Sequence, residues 1–463
     1  MADEPKIPRE AIACKFPLYT DIGFGQRLAR EQGELLRYCL QTGWLHWTGS
    51  HWKRDETGSA KEAAKTIVRR AYRDLANIKN DEFRKKCYKE IVKAEAASRV
   101  RGILDMAECE KPLRIAHDQL DSDPWVFNCT NGTTDLRTGE TRKATQSDLI
   151  TRCAGVAYDP AAKAPTWLSC MNTWMGENPE VVPYLQIAVG YCLTGITREQ
   201  CLHVMYGHGA NGKSTFVNTI LAMLGDYATQ ADAGTIMLKR DDKIRNDVAR
   251  LAGVRFVGVT ELEDGQRLAE SLVKSMTGGD RIVARFLFHE DFEYTPQFKL
   301  WLSGNHLPQI RGTDHAIWRR IRLIPFTVTI PEEDRDLQLP AKLRDELPGI
   351  LNWALEGCRL WQRDGLNPPE SVMAATGQYR EEQDTLAIFI ADCCTVSPNM
   401  AVQPARLYDA YVAWAGKGHT MSQTAFGRRL EERGFVKRKT GGRLIRVGLG
   451  LANDSQVGAQ TTF

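Results

Sequence analysis

Apolar residues recur at helical spacing through residues 24–110, in FGQRLAREQGELLRYCL and again in AKEAAKTIVRRAYRDLANI, which predicts amphipathic helices. A hairpin interrupts them. In GWLHWTGSHWKRD two short aromatic strands flank Thr48-Gly49-Ser50, and Trp44, Trp47 and Trp52 are spaced to pack as cross-strand partners. Over residues 123–159 the pattern shortens to strands and turns, with Asn131-Gly132 and Thr138-Gly139 as turn signals. Residues 166–193 read as helix. Between residues 200 and 326 strand and helix signals alternate, the pattern of an α/β unit on a mainly parallel sheet. Residues 331–394 return to helix, with Pro348 at a first helical position and Gly365 as a stop. The last segment reads as a helix, SQTAFGRRLEERG, then a hairpin turning at Gly441-Gly442, and that order predicts a small winged helix.

These textures divide the chain into a helical and β N-terminal domain (1–180), an α/β core (181–330), a helical linker region (331–395), a winged-helix-like module (396–452) and a flexible tail (453–463). A chain of 463 residues is too long for one hydrophobic core. Hydrophobic residues at 43% and charged residues at 26% exclude a disordered or fibrous chain. A net charge of +3 excludes a uniformly basic coat but allows a local basic face. That face is at the C-terminal end, where residues 401–463 carry ten Lys/Arg against four Asp/Glu. The twelve cysteines include no CxxC pair, and no apolar signal segment or 18-residue apolar run is found, so a reduced, soluble, cytoplasmic protein with no membrane partner is expected.

The chemistry concentrates at LHVMYGHGANGKSTF. Gly207, His208, Gly209, Ala210, Asn211, Gly212, Lys213 and Ser214 fit GxxxxGK[ST], between a strand (202–206) and a helix (214–224). Glycines let the backbone curl so that N–H groups face an anion, and the helix N-terminus adds partial positive charge. The ligands expected are ATP and Mg²⁺: Lys213 reaches the β and γ phosphates, Ser214 offers its hydroxyl to the metal, and Thr215 packs or caps. In GVRFVGVTELEDG a buried strand ends at Thr260-Glu261. A carboxylate there can hold the Mg²⁺ shell and orient water; Glu261 is the first choice, for both metal and catalysis, and Glu263 the second.

Downstream, KSMTGGD, FKLWLSGNHLP and WRRIRLIPF follow in order after GxxxNGKST and the glutamate-ended strand, and with them the chain resembles the superfamily 3 helicases of the phage and plasmid primase-helicase type, relatives of the poxvirus primase-helicase. Looser similarity reaches WVFNCTNGTTDLRTGE and LQIAVGYCLTG upstream, covering residues 44–326 in all. The resemblance implies a P-loop AAA+ core within an α/β fold class and a ring-forming ATPase, usually a homohexamer, that draws one DNA strand through its centre in the 3′ to 5′ direction. It also implies a role in replicating a phage, plasmid or integrated element in a bacterial host cytoplasm.

Asn305, after the strand FKLWLSG, can hydrogen-bond the γ-phosphate or the water as a sensor; the alternative is a cap on the turn before Pro308. One of Arg319 and Arg320, with Arg320 the first choice, would enter the neighbouring subunit's site; the alternative is pairing with acidic neighbours such as Asp314. RIVARFLFHEDFEYTPQF reads as two strands whose tip, by resemblance, projects into the pore. Phe288 and His289 are its DNA-contact candidates, supported by Lys274 and Arg285. In the terminal module Arg428, Arg429, Arg433, Lys437, Arg438, Lys439, Arg443 and Arg446 gather on a helix and hairpin, a face expected to bind DNA with strong salt dependence.

HDQLDSDPW lacks the strand context of a primase metal site, so the reading is a helicase without its own primase, acting on single-stranded and forked DNA beside a separate primase or polymerase. The alternative is an origin-binding or loading ATPase whose hydrolysis controls assembly. A small-molecule kinase is disfavoured, since it would leave the sensor and paired arginines unused.

Overall fold

The computed structural model describes residues 19–176, 178–207, 209–238, 246–260, 265–285, 291–310, 315–416 and 421–452. The N-terminal part holds α1 (Asp21–Gln32), a meander of β1 (Leu36–Cys39), β2 (Gly43–Trp47) and β3 (Trp52–Arg54), then α2 (Ser59–Asp74), α3 (Asp81–Ala94) and α4 (Ala97–Ala107). Thr20 and Asn80 cap α1 and α3, each side chain accepting from a first-turn N–H. The helices bury Phe24, Leu28, Ala64, Ile67, Val68, Ile91 and Ile103 in one core. In the hairpin Trp47 faces Trp52 across the strands with ring centroids 5.4 Å apart.

Next come β4 (Val126–Cys129), β5 (Gly132–Asp135) and β6 (Thr141–Arg142), an antiparallel meander, and then α5 (Pro165–Met175) and α6 (Val181–Cys192). These pack on the α/β unit and not on the first helices: Phe127 stacks on Tyr227 at 4.8 Å and Trp167 on Phe216 at 5.6 Å. The boundary expected at residue 180 does not separate them from it, because β4, α5 and α6 share one buried core with that unit and with residues 343–372.

The α/β unit runs β7 (Leu202–Tyr206), α7 (Lys213–Leu224), β8 (Ala228–Asp232), α8 (Asn246–Ala249), β9 (Phe256–Thr260), α9 (Glu270–Gly278), β10 (Ile282–Arg285), β11 (Asp291–Tyr294), β12 (Lys299–Gly304), α10 (His315–Trp318) and β13 (Ile321–Pro325). Five strands form a wholly parallel sheet in the order β13-β7-β12-β9-β8. Both faces are covered, which is why β7, β9 and β12 read as nearly unbroken apolar runs. Arg255, entering β9, donates to the carbonyls of Leu193 and Val126, and Lys299, entering β12, donates to that of Thr194. Two buried basic side chains thus finish the C-terminus of α6 and tie the β4 meander to the sheet.

His203 lies in β7, fully buried, with its ring 4.2 Å from that of Trp301 and nearly parallel to it. Burial pushes its pKa from the ordinary 6.5 down to about 3, so the folded protein keeps it neutral. Between these values the unfolded chain binds the extra proton, so this contribution to stability is present above pH 6.5 and lost as pH falls towards 3. The limiting slope is about 1.4 kcal/mol per pH unit. His203→Phe keeps the stack and removes the proton, so its urea midpoint should fall less between pH 7 and pH 5 than that of the unmodified chain. Parallel curves would refute this.

Beyond β13 lie α11 (Leu339–Asp345), α12 (Leu347–Asp364) and α13 (Glu370–Glu382). The expected helical linker is instead part of the core. α12 and α6 cross at two glycines so closely that a Cβ on Gly190 would stand 2.1 Å from the Cys358 nitrogen and one on Gly357 2.0 Å from the Gln186 carbonyl oxygen. α13 lies along the edge strand, the Thr376 hydroxyl accepting from the Leu323 N–H at 3.0 Å.

The C-terminal module comprises α14 (Thr385–Cys393), β14 (Cys394–Val402), α15 (Pro404–Ala415), α16 (Gln423–Glu432), β15 (Lys437–Thr440) and β16 (Arg443–Leu451). The helix and hairpin stand where the pattern puts them, with Gly441 and Gly442 both at positive φ in the turn. Leu386 and Phe389 share the core of Leu407, Tyr411 and Phe426, so the module begins at α14 and not at residue 396. β14 pairs with β16, giving a three-stranded antiparallel sheet in the order β14-β16-β15. The expected tail lies outside the described residues.

Candidate nucleotide-binding site

In the parallel sheet β7 is flanked by β13 and β12, and its C-terminal edge is where loops open away from one another, the position at which open α/β sheets bind ligands. The loop leaving β7 there is held by packing. A Cβ on Gly207 would stand 2.1 Å from the Phe326 carbonyl oxygen, and one on Gly212, at φ 86°, would enter the Trp174 indole at 2.3 Å. Ala210 also adopts positive φ, at 46°, and its carbonyl oxygen accepts from the Ile330 N–H at 2.8 Å. Gly209 is at φ 85°. No side chain caps the start of α7 at Gly212, which leaves the helix N-terminal amides and their partial positive charge for a ligand.

Lys213 is the buried centre of this loop. Its Nζ donates to the Gly207 carbonyl oxygen at 2.6 Å, to Asn211 Oδ1 at 3.0 Å and to Asn305 Oδ1 at 3.4 Å. Burial lowers its pKa from the usual lysine value. An ammonium desolvated among neutral oxygens, beside uncapped amides, is a donor set that fits a phosphate. Asn211, buried, bridges the arrangement: its Nδ2 donates to the Phe326 carbonyl oxygen at 3.1 Å while its Oδ1 accepts from Lys213. Asn211 thus braces the loop against the end of β13. Ser214 is exposed, and Thr215 is half-buried with its carbonyl oxygen accepting from the Thr219 hydroxyl.

β12 lies between β7 and β9, so its C-terminal residue Gly304 pairs with Tyr206 and the next residue, Asn305, comes beside the loop. Glu261 and Glu263 follow the end of β9 and lie outside the described residues.

Arg319 and Arg320 sit at the other edge. Ile321 pairs with Leu202 at the start of β7, about 15 Å of strand away from the loop. Arg320, the first choice from sequence, is buried: its Nε donates to the Thr277 hydroxyl at 3.1 Å and its Nη1 to the Ala316 carbonyl oxygen at 2.5 Å. Arg319 is the exposed one, its Nη2 donating to Gln200 Oε1 at 2.6 Å. The pair alternates because the chain turns from α10 into β13 between them.

β10 and β11 form the expected two-strand hairpin, with Arg285 paired to Asp291. Phe288 and His289 belong to residues 286–290, outside the described residues. Arg285 is half-buried at the end of β10, and Lys274 is half-buried on α9. In the terminal module Arg438, Lys439 and Arg443 are exposed on the β15–β16 hairpin, with Lys437 beside them paired to Glu431 at 3.3 Å. Arg428 is exposed and pairs with Glu432 at 3.6 Å; Arg429 is half-buried. Two of the eight basic residues serve the fold: Arg446 is buried against the Phe435 and Gly427 carbonyls, and Arg433 pairs with Asp384.

Trp174 and Gln200 carry no sequence signal of their own, and Phe326 stands out only as the end of WRRIRLIPF. Their parts at the two sheet edges come from elements far apart in the chain.

Residues 25–176 match the family described as D5 N terminal like, and residues 205–320 match the family of unknown function DUF5906. A protein of Acanthamoeba polyphaga mimivirus named as a helicase is 28% identical over 60% of this chain and 32% of its own length. A Frog virus 3 protein, also named as a helicase, is 30% identical over 45% of this chain and 23% of its own length. An African swine fever virus protein named as a primase is 24% identical over 76% of this chain and 38% of its own length. The chain thus spans well under half the length of these curated relatives. Among solved structures, the A form of the NrS-1 C terminal region has a TM-score of 0.49 at 9% identity, covering 94% of this chain and 100% of that one. No helix among the described residues is long and apolar enough to cross a membrane. The D5-like N-terminal region and these viral relatives named as helicases or primases together support a viral primase-helicase type of family for this chain.

Proposed function

We propose that the chain is an ATP- and Mg²⁺-dependent DNA helicase of the superfamily 3, AAA+ class, working as a homo-oligomeric ring, a hexamer by resemblance, that moves 3′ to 5′ on one strand of a fork. The observation that carries the reading is the Lys213 ammonium, buried between the glycine loop and Asn305 at the C-terminal edge of the parallel sheet. Its three oxygen partners among the described residues are neutral, and a triphosphate would offer it negative charge. The amides of α7 and Lys213 would hold the phosphates, and Ser214 with Glu261 would hold the metal, which supplies charge neutralisation on the phosphoryl oxygens. Asn305 already shares Lys213 with the loop, so a γ-phosphate that draws Lys213 away would free its amide to orient water. Strand displacement on a forked duplex with ATP, in the unmodified chain and in Lys213→Ala, tests the reading; displacement by neither counts against it.

One observation favours the second reading, a loading or origin-binding ATPase: β15 is an edge strand with Lys437, Arg438 and Lys439 all exposed. That role needs DNA on this face. Replacing Arg438 and Lys439 together by alanine should reduce the slope of log K against log salt for a single strand by about 1.4, two phosphate contacts' worth. An unchanged slope would remove this hairpin from the DNA interface. ATP turnover with sequence-specific duplex binding but no displacement would favour the loader.

A further inference from the structure

The edge of the sheet opposite the phosphate loop holds a junction that the functional reading has not used. Gln200, in the connection from α6 to β7, has backbone φ of +50°, a left-handed conformation that a glutamine seldom adopts. Its own N–H donates to the Thr197 carbonyl oxygen at 3.1 Å, closing the turn that sets this conformation. The side chain aimed by that turn makes two bonds to different elements. Its Oε1 accepts from Arg319 Nη2 at 2.6 Å, and its Nε2 donates to the Gly278 carbonyl oxygen at 3.4 Å.

Gly278 is the last residue of α9, and Gly279 ends the helix in the left-handed region at φ 82°. Three residues later β10 begins, the first strand of the hairpin. Arg320 reaches the same helix end through the Thr277 hydroxyl. Adjacent arginines are therefore joined to one helix terminus, Arg320 directly from a buried position and Arg319 through Gln200 from an exposed one. Of the two routes only the second can open without unpacking the core.

We infer that Gln200 is a positioning residue that holds Arg319 on its own subunit and links it to the root of the β10–β11 hairpin, so that removal of Arg319 to a neighbouring nucleotide releases the Gly278 end of α9. This inference rests on the motor reading above and adds the route by which nucleotide cleavage at a seam reaches the strand-gripping element.

The test uses the full chain, ATP and a forked duplex, reading steady-state hydrolysis and base pairs displaced per ATP. Gln200→Gly suits a backbone at φ +50° and deletes both bonds. It should unfold close to the temperature of the unmodified chain, yet displace about fivefold fewer base pairs per ATP, the scale set by losing a hydrogen bond. Gln200→Glu keeps the acceptor, adds charge that holds Arg319 in place, and loses the donor. It should lower kcat for ATP about fivefold with KM unchanged, and salt should relieve the effect. A purely structural role predicts neither pattern. If the unmodified chain displaces strands and both variants match it, this inference alone is overturned. If the unmodified chain displaces none, the motor reading falls and takes this with it.

Discussion

Lys213→Ala is expected to lower ATP hydrolysis about 10³-fold or more, with the fold retained. The size follows from what the ammonium does when phosphate charge shifts during cleavage: a preorganised cation in a site shielded from water is worth several kcal/mol to the transition state. The retention of fold follows from its surroundings. Removing Lys213 leaves the Gly207 carbonyl and the Asn211 and Asn305 amide oxygens short of a donor, a cost of about 1 to 3 kcal/mol. Against that, the ammonium's partners among the described residues are neutral oxygens, so it carries its own desolvation cost, which alanine removes. The loop keeps its other ties, Asn211 to Phe326 and Ala210 to Ile330. Phosphate release, nucleotide binding and thermal unfolding should be measured on the same preparation. Hydrolysis within tenfold of the unmodified chain would mean that this loop is not the cleavage site.

The sequence revealed the phosphate loop because each residue's role there is local: glycine for close approach, lysine at the helix start, a strand before and a helix after. The five-stranded core was legible for a related reason, since strands covered on both faces become apolar runs. What sequence could not show is who covers them. The stretch 331–395 reads as helices between domains, yet α12 belongs to the core, since Gly190 and Gly357 let it press against α6. The same holds for α14, whose Leu386 and Phe389 lie in the core of the terminal module. Charge misled in a different way. Arg446 and Arg433 count as members of a basic face in the sequence, but one is buried against carbonyls and the other is paired with Asp384. Of the adjacent arginines before β13, the sequence reading puts Arg320 first. The structure separates them by burial.

That separation changes which arginine should matter to catalysis in trans. Arg320 is committed to Thr277 and Ala316 inside its own subunit, whereas Arg319 is exposed and lies at the edge of the sheet far from its own phosphate loop. An arginine so placed cannot reach the nucleotide of its own subunit. In a ring built from head-to-tail contacts, one edge of each subunit faces the opposite edge of the next. A guanidinium supplied that way offsets charge on the transferring phosphoryl group, an effect of about 10³ to 10⁵ in rate. Arg319→Ala is therefore expected to lower kcat by about that factor, with nucleotide binding nearly intact. Arg320→Ala should instead lower the unfolding midpoint, because it removes bonds to Thr277 and Ala316 within the core. Mixing decides whether Arg319 acts in trans. Subunits carrying Arg319→Ala keep a working phosphate loop, and subunits carrying Lys213→Ala keep a working arginine, so an equal mixture restores both parts at about a quarter of its seams if assembly is random. Hydrolysis should reappear at about that fraction of the unmodified rate, from two preparations that are each inactive alone. If the mixture stays as inactive as its components while mixed oligomers form, the arginine is not shared across subunits, and cleavage at the seam is refuted.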